Sequence, residues 1–227
     1  MTEILNGGYA TMIETWGSDE RIVEAARMST AKGFLGWGTP EAPGDEKLLR
    51  FLWENKHATP FEMAGMTIEI KAPIFVFREW HRHRTQSYNE MSARYVPLPD
   101  ENYIPSLDRL LAGGQSATNK QASGAAVPEA DALEWLAELA EVYDHAQRVC
   151  ESAIRRGIAK ELARLPVPVA RFSRMRASAN LRNWLGFLTL RMNPAAQWEI
   201  RQYANAVGAM ISEAFPRTWG LFSEGRT

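Results

Sequence analysis

Between Arg82 and Arg94 the chain reads Arg-His-Arg-Thr-Gln-Ser-Tyr-Asn-Glu-Met-Ser-Ala-Arg, thirteen residues with three guanidiniums, an imidazole and a single carboxylate. Two serine hydroxyls and an asparagine amide lie between the charges, and lysine is absent. Guanidinium forks bind phosphates and planar acceptors bidentately, where an ammonium acts only as a point charge. The stretch therefore reads as an anion site, with the anion still open. Two further clusters have the same character: His57-Ala-Thr-Pro-Phe-Glu62, and Arg164 with Asn180, Arg182 and Arg191. An arginine beside a capping asparagine at a helix start adds free backbone N–H groups to the guanidinium. Together the clusters could hold several phosphates, as a dinucleotide cofactor plus a nucleotide substrate would require.

The rest of the composition sets bounds. The chain has 227 residues, 45% of them apolar, enough for one large α/β domain. A formal charge of −1 argues against gripping nucleic acid with the whole surface, so any basic site is local. The single cysteine, Cys150, excludes an intrachain disulfide. No apolar run approaches the ~20 residues of a membrane span, and the start lacks a secretory pattern. A soluble, cytoplasmic protein without membrane or nucleic-acid partners is the expectation. His81 and His83 could be half a metal site, but no carboxylate or cysteine completes it at a usual spacing, and no metal is expected.

The elements that must position these groups follow from periodicity. Residues 1–18 are mixed and end at the capping pair Ser18-Asp19, ahead of a helix from about Glu20. Gly33 to Gly44 is a loop, Asp45 is expected to cap a second helix, and Thr59-Pro60 stops it before the His57 cluster. Met66, Ile68 and Ile70 alternate with polar residues as a strand with one face buried. Pro73 opens a short helix, with Ile74, Phe77 and His81 at helical spacing, whose end presents Arg82 to Arg84. Ser87 to Tyr95 are expected to run extended. Residues 97–130 read as a surface excursion without a catalytic part. A long helix after Pro128 carries Cys150 on its apolar stripe, which points to a buried structural thiol. Val169 to Ser178 is a second strand; its Arg171, Arg174 and Arg176 are either a solvated face or phosphate ligands. Asn180 caps a helix to about Arg191, on which Asn180, Phe187 and Arg191 share one face and Arg182 and Gly186 another, at ~100° per residue. A last helix runs from Ala195 to about Phe215.

Arg82-His83-Arg84, seven residues, then Ser92 resembles the RHRX7S motif of the flavin-dependent thymidylate synthases. His57-x-Thr-Pro-Phe-Glu62 upstream is similar to that family's pattern as well. So are Ala163-Arg164, Asn180-Leu181-Arg182 through Leu190-Arg191, and Ala196 to Tyr203 downstream. The resemblance implies an α/β (α+β) fold: a single domain over residues 1–227 with a mostly antiparallel central sheet flanked by helices. It implies FAD as cofactor, bound by His57, Thr59, Arg82, His83, Arg84, Glu90, Asn180, Leu181, Arg182 and Gly186. It implies deoxyuridine monophosphate (dUMP) as substrate, held by Glu79, Trp80, His81, Arg82, Glu90, Met91, Ser92, Ala93, Arg94, Arg164 and Arg191, with Arg191 catalytic against the pyrimidine. NADPH as reductant, 5,10-methylenetetrahydrofolate as carbon donor and a homotetramer with sites between subunits are implied by the same resemblance. Three positions differ from the family pattern: Glu79 stands for a glutamine, Gly186 for an asparagine and Thr85 for an aliphatic residue.

The chemistry is consistent with that reading. Methylation at uracil C5 requires the ring to become electron-rich there or to be attacked at C6. A guanidinium beside N3 or the ring oxygen stabilises developing negative charge without a covalent bond. A reduced flavin then supplies the hydride. Ser92 has no histidine base at a matching spacing and reads as a ligand-positioning group. The alternative class is a nucleotide- or RNA-binding module that uses the same arginines without catalysis; it lacks a repeated aromatic-basic platform.

Overall fold

The computed structural model describes residues 2–113 and 126–224. The middle of the predicted excursion, residues 114–125, lies outside the described residues. In chain order the elements are β1 (Thr2–Ile4), β2 (Gly8–Trp16), α1 (Asp19–Arg27), α2 (Gly44–Glu54), β3 (Gly65–Pro73), α3 (Ile74–Trp80), β4 (Ser87–Glu90) and α4 (Leu107–Leu111). They continue with α5 (Glu129–Arg155), α6 (Lys160–Ala163), β5 (Phe172–Asn180), α7 (Leu181–Arg191), α8 (Trp198–Ala214) and α9 (Pro216–Glu224). The strands form one antiparallel sheet in the order β1-β2-β3-β5-β4. The fold is thus the α+β arrangement that the sequence implies, with helices segregated to one face of an antiparallel sheet.

Strand alternation sorts the sheet into two faces. Met66, Ile68, Ile70, Met175 and Ala177 are wholly or almost wholly buried beneath α3, α7 and α8. The opposite face carries Thr67, Glu69 and Lys71 beside Ser178, Arg176 and Arg174, their register partners. There Thr67 donates to the Ser178 hydroxyl at 3.0 Å and Arg176 pairs with Glu69 at 3.3 Å. The core is aromatic: Trp80 stacks on Phe187 at 4.5 Å, with Trp184 and Tyr203 edge-on to it. Tyr203 donates to the Lys71 carbonyl at 2.8 Å, and a Cβ on Gly8 would meet that hydroxyl at 2.1 Å. Position 8 is therefore glycine for lack of room.

Several expectations are corrected. Residues 1–18 contain a hairpin: Leu5 and Asn6 turn with φ of 56° and 51°, and Gly7 with 136°. A register shift between Met12 and Glu14 breaks the alternation that would have announced β2. Asp45 lies inside the first turn of α2 and caps nothing. Its buried carboxylate instead accepts from the Leu35 N–H at 2.7 Å and from Arg27. On α3 the buried residues are Val76, Phe77 and Trp80, while His81 is exposed. β4 stops at Glu90, and Ser92 opens a turn in which Tyr95 and Val96 donate to its carbonyl. Arg171 is neither solvated nor a free phosphate ligand. At 1% exposure it bonds Asn102, the Pro99 carbonyl, Gln147 and Asp100. The start of the excursion is docked by this residue and by Tyr103, whose N–H donates to the Ala170 carbonyl at 2.9 Å. α9 follows α8 without having been expected.

Candidate active site

α7 gathers much of the chemistry. Asn180 caps it as its spacing predicts, accepting from the Asn183 N–H at 3.0 Å. One flank carries Arg182 and Gly186. With His57, Trp53, Phe61 and Thr189 they line a cleft of about 330 Å³. That is at the lower end of small-molecule pockets, enough for part of a dinucleotide. A Cβ added to Gly186 would meet nothing within 4 Å, so the glycine leaves the cleft open. Arg182 pairs with Glu62, which gives the carboxylate of the His57–Glu62 cluster a structural partner. Thr59 is exposed in the short 3-10 turn beside it. Leu181 is fully buried, and its N–H is already given to the Ala64 carbonyl.

The other end of α7 carries Arg191, four residues beyond buried Phe187, which lies against the His83 ring at 4.8 Å. The Arg191 guanidinium donates from Nε to His83 Nε2 at 2.8 Å. Its two terminal nitrogens donate to a Glu79 carboxylate oxygen at 2.7 Å and to the Glu79 carbonyl at 2.9 Å. Burial, and then the Arg191 charge, push the His83 pKa down from its ordinary 6.5 to about 4. His83 is thus a neutral imidazole at neutral pH, and its lone pair is on Nε2. Arg82 and Arg84 are exposed on either side of it. Trp80 is wholly buried, and its indole donates to the Gln86 amide oxygen at 3.0 Å. His81 faces the Met175 sulfur at 3.2 Å. Among the described residues no three His, Cys, Asp or Glu side chains group as metal ligands.

A second cleft, about 300 Å³, is lined by Ala93, Leu98, Gln147, Cys150, Lys160, Arg164 and Arg171, among others. It unites Ala93 and Arg164 of the substrate set and adds Lys160, one turn before the Ala163-Arg164 motif, which sequence reasoning missed because Lys160 is not itself a motif residue. Cys150 is 8% exposed and forms part of this wall, so the predicted burial is correct while its neighbourhood was not foreseen. Arg94 is exposed and pairs with Glu161 at 3.1 Å. Glu90 and Met91 lie apart from that cleft, in a shallow pocket at the β4 edge with Asn89, Arg174, Met175 and Arg176, where Glu90 is the register partner of Met175. Ser92 is half-buried, its hydroxyl 3.4 Å from the Arg94 N–H. The predicted residues therefore occupy three surfaces of one chain: the His57–Gly186 cleft, the Arg191–His83 corner, and β4 with the Ala93–Arg164 cleft.

Cationic clefts around a helix cap and an arginine-rich turn define an α+β protein equipped to bind anionic nucleotides. The family profile "Thymidylate synthase complementing protein" matches residues 11–217, and the chain belongs to that family. The flavin-dependent thymidylate synthase of Thermus thermophilus is 38% identical over 221 residues, 97% of this chain and 77% of that protein. The flavin-dependent thymidylate synthase of Thermosipho melanesiensis is 35% identical over 223 residues, 97% of this chain and 92% of that protein. A UMP/dUMP methylase, PolB from Streptomyces cacaoi, superposes with a TM-score of 0.85 in its complex with 5-Br dUMP, at 30% identity over 96% of this chain and 95% of the other. Its complex with 5-Br UMP gives 0.84, also at 30% identity, over 96% and 94% of the two chains. Among the described residues no helix is long and apolar enough to cross a membrane.

Proposed function

We propose that the protein is a flavin-dependent thymidylate synthase, a methyltransferase that converts dUMP to dTMP by reductive methylation without a cysteine nucleophile. The observation that carries the reading is Arg191, half-buried at the end of α7 and braced by His83 and Glu79 in a fixed orientation. A preorganised guanidinium stabilises negative charge on a pyrimidine N3–C4=O edge without reorganising during the reaction. Arg164 and Arg94, with the Ser92 hydroxyl, are assigned to the substrate phosphate, and Glu90 and Met91 to its sugar and ring side. Glu79, His81 and Arg82 would border the same substrate at the end of α3, while Trp80, wholly buried against Phe187, would act only by fixing that end of the helix.

FAD fits the His57–Gly186 cleft by its polar rim of His57 and Arg182, the apolar Trp53 and Phe61 wall, and the open space at Gly186. Thr59, Arg84 and Asn180 would complete the hold, with Arg82, His83 and Glu90 between the two ligands; Leu181, fully buried with its N–H given to the Ala64 carbonyl, would act only by anchoring the helix start. When bound and reduced, the flavin supplies the hydride that completes the methyl group. NADPH as reductant and 5,10-methylenetetrahydrofolate as carbon donor are part of the proposal, as is a single domain working in the cytoplasm. The separation of the assigned residues into three surfaces of one chain supports a homotetramer in which neighbouring subunits complete each site. The binding-module alternative is not favoured, since the relatives found are named as enzymes.

The test is direct. Purified protein should take up FAD, bleach with NADPH, and form dTMP from dUMP only when methylenetetrahydrofolate is present. Protein that binds no flavin, or forms no dTMP when flavin-loaded, refutes the proposal. UMP should be included as a second substrate, because the structural relative is described as acting on both nucleotides.

A further inference from the structure

The segment between Arg84 and Ser92 has more to do than span a distance. Gln86 and Tyr88 are its inward-turned side chains, while Ser87 and Asn89 are exposed, the alternation of a strand beginning one residue before β4. Tyr88 donates from its hydroxyl to the His83 carbonyl at 2.6 Å and lies 3.3 Å from the Trp80 carbonyl. Its ring meets His81 edge-on at 4.9 Å. Gln86 accepts from the Trp80 indole at 3.0 Å. Both inward residues therefore reach back to the end of α3 and close the turn that carries the two exposed arginines. The Trp80 carbonyl is already shared with the His83 N–H at 3.0 Å, so the Tyr88 hydroxyl is best used by the His83 carbonyl.

We infer that Tyr88 is a positioning residue: its hydroxyl fixes the His83 backbone, so that the Arg82–Arg84 turn meets flavin and nucleotide in one geometry. The inference rests on the functional reading above. His83 is then held at both ends, by Tyr88 at its carbonyl and by Arg191 at its imidazole. Burial pushes the Tyr88 pKa up to about 12, so the hydroxyl stays a neutral donor throughout the working range. The spacing of the motif acquires a reason as well. One residue more or fewer in this segment would turn Tyr88 to the solvent side and remove the brace.

The test compares full-length wild type, Tyr88→Phe and Tyr143→Phe by FAD titration, visible absorbance of the bound flavin and thermal midpoint. Tyr143 is a matched control, since its hydroxyl donates to the Tyr103 carbonyl at 3.3 Å, away from the turn. Tyr88→Phe should weaken FAD binding about fivefold, the value of one net hydrogen bond, and displace the flavin absorbance band. Tyr143→Phe should leave both unchanged, whatever it does to the midpoint. Equal FAD affinity and an identical band in Tyr88→Phe and wild type, or equal weakening in the two variants, overturns the inference alone. Wild-type protein that takes up no FAD overturns the functional reading and the inference with it.

Discussion

Arg191 and His83, 108 residues apart in sequence, meet with Nε donating to Nε2 at 2.8 Å. A guanidinium has donors and no acceptor, so this contact assigns the imidazole proton to Nδ1. It also couples the end of α7 to the turn after α3, the two elements that carry most of the proposed chemistry.

Removing the guanidinium tests its role. Arg191→Ala should lower the turnover of dUMP to dTMP by about 100-fold or more, the usual effect of losing a preorganised charge at a reacting group. FAD content, read from the visible absorbance of purified protein, should change far less. Parallel loss of both would make Arg191 a flavin or folding residue.

Glu79 holds Arg191 by its carboxylate, and on the role proposed for Arg191 a bound nucleotide would compete with that carboxylate. The Glu79 side chain is 42% exposed, so the pair is worth at most about 1 kcal/mol. Glu79→Gln should therefore tighten dUMP binding by no more than about fivefold, measured by titration of the flavin-loaded protein. Unchanged affinity would mean that the pair persists in the complex and does not compete.

The depressed His83 pKa has a stability consequence. The folded chain binds this proton less readily than the unfolded one, so the contribution is complete above about pH 6.5 and is lost as pH falls from there towards 4. Urea unfolding of wild type and His83→Gln at pH 7 and pH 5 should show a smaller loss in the variant. The same pH dependence in both would place the proton elsewhere.

Cys150→Ala should retain methylation activity in folded, flavin-loaded protein. The thiol borders the Ala93–Arg164 cleft, so a modest change in dUMP affinity is compatible with this expectation. Abolished turnover would mean that the thiol takes part in the reaction.

Motif spacing and helical period made the corner legible in advance: Asn180 caps α7, Arg191 lies beyond Phe187, and Arg182 shares a flank with Gly186. Strand β3 was equally plain because Met66, Ile68 and Ile70 alternate without interruption. β2 was not, since its bulge breaks the period and its second half is exposed. Arg171 was misread because charge and alternation cannot reveal that Pro99, Asn102 and Gln147 return to enclose it. Asp45 was misread for a related reason. A carboxylate at a helix start suits a cap, and only the tertiary fold brings the Leu35 N–H and Arg27 to it. Lys160 is not a motif residue, and Tyr88 fills one of the unspecified positions between Arg84 and Ser92, so only distances show what each of them reaches.

Arg171 also acts as a knot between distant parts of the chain. It ties Pro99, Asp100 and Asn102 to Gln147 on α5 through a guanidinium that is 1% exposed. Its own backbone leads directly into β5, so Gln147 and Arg171, both in the wall of the Ala93–Arg164 cleft, are fastened to the sheet through this charge. Losing it would leave the carbonyl and amide oxygens it satisfies without their donor and loosen that wall of the cleft.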